Sequence, residues 1–181
     1  MDGVFHVRGS SMARRSLPVA TPLERFERHL PGIAYEVLDE LAGFAIRRAQ
    51  LASLVVFDRV VGGTKFTAQR FCSLVVIEQN PGLTQTRLAE ILGIARSGVM
   101  LLVDFHEAEG FVARTPSPTD RRAYGLRITA AGGRRLAEVK RLVREADRLT
   151  TAALTAAERR QLHALLEKVG EPARPAHGAP R

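Results

Sequence analysis

The stretch LTQTRLAEILGIARSGVMLLVDFHEAEG, residues 83–110, holds two helical patterns with almost nothing between them. Thr84 can cap the first, and Leu83 and Leu88 stand where a hydrophobic staple fixes the entry of the chain. Gly93 ends it, because a glycine just past the last periodic residue tolerates the left-handed conformation that closes a helix. A second helix then runs from about Ala95 to Glu109 and closes at Gly110. Only the turn at Gly93-Ile94 joins the two, so the spacing predicts a helix-turn-helix.

Downstream the period changes from helical to alternating. Phe111-Val112-Ala113-Arg114 can supply one strand. In PSPTDRRAYGLRIT, residues 116–129, Tyr124, Leu126 and Ile128 share one face, with Gly125 and Arg127 on the other. The two strands form a long hairpin, stiffened at its connection by Pro116 and Pro118. Asp120, Arg121 and Arg122 crowd its tip. A helix-turn-helix followed by such a hairpin is a winged helix-turn-helix.

The rest of the chain is helical. Thr67 can cap a helix through Glu78, which Asn80-Pro81-Gly82 stops. A long helical pattern runs from Ile33 to about Val61 and ends at Gly62-Gly63, with Val37, Leu41, Phe44, Leu51 and Val55 on one stripe. At roughly 1.5 Å per residue such a helix overhangs a small domain. Its stripe therefore needs a second partner, such as the same helix of another subunit. Before it, Thr21-Pro22-Leu23-Glu24 begins a short helix that Pro31-Gly32 interrupts. After the hairpin, Thr129 caps a helix with Leu136, Val139, Leu142, Val143 and Leu149 on its apolar side. Leu154-Thr155-Ala156-Ala157-Glu158 is a capping box opening the last helix, whose Leu162, Leu165, Leu166 and Val169 are expected to be buried. The pattern predicts a mainly α chain with a small β-hairpin. Residues 21–170 would form one domain, with dimerisation helices at 22–61 and 130–169 and the winged helix-turn-helix at 67–128. Residues 1–20 are expected to be a disordered basic arm, in which Met12 is a second possible start, and 171–181 a disordered tail.

Composition narrows the function. The 181 residues are 45% hydrophobic and 25% charged, an ordinary globular balance, and no apolar run approaches a membrane span. The N-terminus lacks the apolar core of a secretory signal. A single cysteine, Cys72, cannot make an intrachain disulfide, which fits a reducing cytoplasm. The five histidines show no metal-ligand spacing. No nucleophile–base pair, metal cluster or phosphate loop is present, so neither an enzyme nor a cofactor-binding protein is expected. Lys and Arg number 27 against 19 acids, a formal +8, which favours a polyanionic partner, either nucleic acid or an anionic membrane.

Three fragments then resemble, in order, the multiple-antibiotic-resistance regulator (MarR) family of bacterial transcription factors. LTQTRLAEILGI resembles the helix leading into the turn, and ARSGVMLLVDFHEAEGFVAR the recognition helix running into the first wing strand. PSPTDRRAYGLRITAAGGRRL resembles the wing and the helix after it, where the family's Asp-x-Arg and Leu-Thr-x-x-Gly text recurs. The resemblance covers roughly residues 33–169. It implies a homodimer built from the first and last helices of both chains, on a pseudo-palindromic double-stranded DNA operator. Each recognition helix would enter a major groove and each wing a neighbouring minor groove. It further implies a repressor released by a small, often aromatic, anionic effector or by an acyl-CoA. Two other functions stand beside it: a thiol-based redox regulator acting through Cys72, and a nonspecific basic nucleic-acid-binding protein.

The candidate DNA contacts begin at the wing. Arg122, and secondarily Arg121, can enter a narrow minor groove, with Asp120 holding an arginine in place. Arg96, Ser97 and Met100 are left to read bases, because Gly98, Met100, Leu101 and Phe105 make the recognition face unusually apolar. Thr84 and Arg87 begin the preceding helix, where backbone N–H groups can meet phosphate; a surface salt bridge is the other use for Arg87. For the effector, the family's pocket implies Tyr35, Phe44, Phe71 and Cys72 as apolar wall and Arg47 or Arg48 as anion anchor. Between neighbours such as Phe71, Val75 and Val76, Cys72 reads as a buried core thiol. His106 stands where the family has an apolar residue. It reads as a core histidine with a backbone partner, the alternative being a buried pH- or ligand-sensing group.

Overall fold

The computed structural model describes residues 26–27, 29–116 and 124–171. The elements run α1 (Val37–Glu40), α2 (Ala42–Val61), a 3-10 turn (Gly62–Thr64), α3 (Ala68–Gln79), α4 (Gln85–Leu92) and α5 (Arg96–Ala108). Then follow β1 (Val112–Pro116), β2 (Tyr124–Ile128), α6 (Ala130–Thr150) and α7 (Ala156–Leu166). The winged helix-turn-helix is therefore present. The start of the short helix expected from Thr21, the basic arm, the wing tip with Asp120, Arg121 and Arg122, and the tail from 172 lie outside the described residues; residues 26, 27, 29 and 30, before Pro31, are described and are not helical.

Local capping sets the helix starts. Thr67, Thr84 and Thr129 each accept a hydrogen bond from the backbone N–H three residues on, and Thr155 forms a full capping box with Glu158. Gly93 closes α4 at φ 63. Leu83 and Leu88 pack into the core as the staple requires, Leu88 with no exposure.

The strands pair antiparallel from Val112 against Ile128 to Pro116 against Tyr124. A third short pairing was not legible in the sequence: Leu126 and Leu83 form an isolated bridge, which ties the hairpin to the start of α4. Two departures from simple alternation accompany it. Gly125 is buried because the Gly82 backbone lies on it, so close that a Cβ there would come within 2.7 Å of the Gly82 carbonyl oxygen. Tyr124 is 58% exposed, although Leu126 on the same face is fully buried. The core gathers Val61, Leu74, Ile77, Leu88, Val99 and Val103 with Leu126, Leu136 and Val139. Helix α6 packs along α2. At its first turn, Gly132 meets the Phe111 carbonyl so closely that a Cβ would stand 2.1 Å from that oxygen.

Two expectations need correction. The helix predicted from Ile33 to Val61 is not continuous: Leu41 is extended, at φ −87 and ψ 115, and separates α1 from α2. Within one chain the apolar residues before the break (Ile33, Val37, Leu38) are exposed, so no packing offsets the entropy of continuing the helix. Its expected end holds: α2 stops at Val61 with Gly62 as C-cap, Gly62 being right-handed helical and Lys65 left-handed at φ 65. The second correction concerns α7. Leu162, Leu165, Leu166 and Val169 are 40–58% exposed rather than buried, because no element among the described residues covers them.

Candidate nucleic-acid interface and ligand pocket

Helix α5 carries two opposed stripes. Val99, Leu102, Val103 and His106 turn inward, at the i, i+3, i+4, i+7 spacing of one helix face. Ser97, Met100, Leu101 and Asp104 repeat that spacing on the outside and are exposed, with Arg96 at the N-terminus. The N-cap Ala95 offers no side-chain acceptor, so the first N–H groups of α5 keep their hydrogen-bonding capacity. At α4, by contrast, the Thr84 hydroxyl is occupied as the cap, and Arg87 pairs with Glu90 at 2.5 Å. Of the two uses considered for Arg87, this is the surface salt bridge. Thr86, Glu90, Gly93, Ile94 and Arg96 line a notch of about 380 Å³ between α4 and α5.

One residue missed in the sequence organises this face. Arg114 on β1 reaches back to α5, 2.9 Å from Asp104 and 2.9 Å from Glu107. It ties the hairpin to the recognition helix and occupies the acidic group of the outer stripe. A strand arginine ten residues after a helix aspartate carries no local signal of such a pairing.

Behind α5, His106 is fully buried, and its Nε2 lies 2.9 Å from the Ser73 hydroxyl. That hydroxyl donates to the Arg70 carbonyl at 3.0 Å, so it accepts from the imidazole, which fixes the proton on Nε2. Nδ1 is then a bare lone pair, with no partner among the described residues. Burial pushes the His106 pKa down to about 4; a hydrogen bond to the Arg70 backbone opposes it and the nearby Arg70 charge adds to it. The core position expected for His106 holds; its ring meets both the Ser73 hydroxyl and the Arg70 backbone on α3.

A pocket of about 740 Å³ opens between α3, α6 and α7. Phe71, Cys72, Val75, Val76 and Val143 form its apolar wall. Lys140, Arg144, Arg148 and Arg159 bring cations to it, with Asp147 among them. Lys140 is engaged by Glu78, whose carboxyl its hydrogen bond holds below the ordinary range, and Arg148 pairs with Glu145 at 2.7 Å. Arg159 has a buried Nε without a partner among the described residues. The sequence did offer a clue: Lys140, Arg144 and Arg148 recur every four residues on one face of α6.

Only two of the six candidate effector residues, Phe71 and Cys72, line this pocket. The other four lie apart from it. Arg48 is only 8% exposed, its guanidinium 4.9 Å from the Tyr35 ring centre, 5.1 Å from Phe44 and 5.8 Å from Phe26. These rings satisfy the charge by cation–π attraction, yet Nη2 is buried without a partner among the described residues. Arg47 is exposed. Cys72 also departs from expectation: it is exposed, because the core side of α3 is taken by Ser73, Leu74 and Ile77. Partial burial of its sulfur still pushes the thiol pKa up, opposite to what a redox sensor requires. Among the described residues there is no cluster that could hold a metal ion and no helix long and apolar enough to cross a membrane.

Comparison with known proteins supplies the frame for these features. The MarR family profile matches residues 65–123. A transcriptional regulatory protein for the hcr operon of Thauera aromatica is 38% identical over 128 residues, 70% of this chain and 77% of that one. The transcriptional repressor CouR bound to a 23-mer DNA duplex superposes with a TM-score of 0.71 at 35% identity, over 77% of this chain and 99% of CouR. CouR bound to p-coumaroyl-CoA superposes with a TM-score of 0.68 at 34% identity, over 77% of this chain and 98% of that one.

Proposed function

This chain belongs to the MarR family of transcriptional regulators, and we propose on that premise that it is a dimeric repressor released from its operator by an anionic aromatic acid or its CoA thioester. The observation that carries the reading is the outer stripe of α5, running from Arg96 to Asp104 and joined through Arg114 to the wing. A basic protein of formal charge +8 supplies the long-range attraction to DNA. Arg96, Ser97 and Met100 enter the major groove, and Arg122, with Arg121 and Asp120, reaches the minor groove. The start of α4 at Thr84 borders the phosphates, while Arg87 stays paired with Glu90.

The second copy covers the apolar surface that one chain leaves open. Ile33, Val37 and Leu41 at one end and Leu162, Leu165 and Val169 at the other are each 40–58% exposed, and patches of this kind mark protein contacts. Folding and dimerisation are then one transition, and sedimentation at micromolar concentration should find no stable monomer. The operator half-sites lie about one helical turn apart.

The effector's acyl part lies on the wall formed by Phe71, Cys72 and Val76, and its anionic groups meet Arg144 and Arg159. At about 740 Å³ the cavity falls within the roughly 300–1,000 Å³ range of small-molecule sites and exceeds what a benzoate would fill. Arg48, in its ring of Tyr35 and Phe44 with Arg47 beside it in sequence, lies apart from this pocket and is the alternative anchor. Release requires a ligand that favours the conformation unable to span two major grooves, since equal affinity for both shifts nothing.

The test is a fluorescence-anisotropy titration of the DNA upstream of the protein's own gene against random duplex. It is repeated with salicylate, p-coumaroyl-CoA and free CoA. Tighter binding to the upstream DNA, weakened by an aromatic acid or its thioester but not by CoA, is the expected result. Equal affinity for random duplex would make the protein a nonspecific binder. Specific binding untouched by either ligand would remove the effector. Arg144→Ala and Arg48→Ala then decide which cation anchors it.

A further inference from the structure

We infer that the recognition helix reads thymine methyl groups through Met100 and Leu101, which makes these two side chains the determinants of operator sequence. The inference rests on the DNA-binding function proposed above. Met100 is 50% and Leu101 61% exposed, and they occupy the centre of the outer stripe of α5. Scattered exposed apolar residues are ordinary, but two adjacent ones at the middle of a recognition face are not scattered. The polar groups flanking them are limited. Ser97 precedes them, while Asp104 follows with one carboxylate oxygen taken by Arg114 at 2.9 Å, which offsets its charge. Phe105 is turned sideways under the Arg70 guanidinium, 3.7 Å from its ring centre.

The occupant follows from complementarity. Each base edge in the major groove presents hydrogen-bonding atoms, and thymine alone among the four bases adds an apolar group, its 5-methyl. Leucine makes no hydrogen bond to guanine, cytosine or adenine edges and a methionine sulfur accepts only weakly, so covering those edges leaves them desolvated and poorly paired. Apposed to thymine methyls, the same side chains lose apolar surface to water contact on both partners. The uncapped N–H groups at the start of α5 hold the helix end to the phosphates, which orients the stripe without specifying sequence.

The experiment begins with the footprinted operator. Each thymine of a half-site is replaced in turn by deoxyuridine, which removes the methyl and leaves every hydrogen-bonding group intact. Wild type should lose roughly fourfold in affinity at each thymine under Met100 or Leu101, the factor for one methyl-sized group. Met100→Ala/Leu101→Ala should bind the thymine and uracil operators equally and keep the wild-type salt dependence. Indifference of the wild type to every uracil overturns the inference while leaving specific DNA binding standing. A double variant that still discriminates uracil assigns the reading to other residues and overturns it equally. Binding no tighter than to random duplex overturns both this inference and the function beneath it.

Discussion

His106 makes the stability of this protein sensitive to mild acid, and the size of the effect follows from its surroundings. The imidazole is fully buried between Phe66, Phe105 and Phe111, with Ser73 on its Nε2 and the Arg70 charge nearby. Its pKa falls from 6.5 to about 4 on folding. Between those values the unfolded chain binds a proton that the folded chain does not, so stability rises with pH across this window and is lost as pH falls through it. Above the unfolded pKa the ring is neutral in both states and contributes nothing. At about 1.36 kcal/mol per unit, acidification from about pH 7 to about pH 4.5 should cost on the order of 2–3 kcal/mol. His106→Gln removes the titration and keeps an N–H for Ser73. Urea unfolding of both proteins at fixed concentration is the assay, because a dimer's stability depends on its concentration. Carboxylates such as Glu78 titrate in both proteins and cancel in the difference. The variant should show a shallower pH dependence by that amount. Parallel pH profiles would refute the reasoning.

Gly132→Ala forces a methyl against the Phe111 carbonyl at 2.1 Å and should destabilise the fold by ~3 kcal/mol or more, read from urea or thermal unfolding; an unchanged midpoint would contradict that contact. Arg122→Ala should weaken operator binding and flatten the slope of log K against log salt by about 0.9, the loss of one neutralised phosphate. A folded variant with unchanged affinity and slope would remove Arg122 from the interface. Arg114→Ala should loosen the wing and expose Asp104, weakening operator binding several-fold while changing stability by less than ~1 kcal/mol, because the ion pairs are part-exposed. Unaltered binding by gel shift would show that the wing is oriented by its backbone pairing alone.

What the sequence determined by itself was the order and the ends of the elements. Thr67, Thr84, Thr129 and Thr155 begin their helices as their types and spacings predict, and Gly93 ends α4, because capping is decided within three or four residues along the chain. Period sufficed for the inward stripe of α5 and for the hairpin, since a buried face imposes its repeat on the text. Tertiary structure decided whatever depends on which element lies opposite. Cys72 faces outward because Ser73 and Leu74 take the core side of α3, and Ser73 owes its burial to a histidine 33 residues away. Arg48 is enclosed by Tyr35 and Phe26, while the cations that meet Phe71 come from α6 and α7. The break at Leu41 and the uncovered leucines of α7 follow from what one chain has available to pack against them. Capping and periodicity are local energies written in neighbouring residues; burial, pairing and pKa arise from contacts between distant ones, and only the packed fold brings those together.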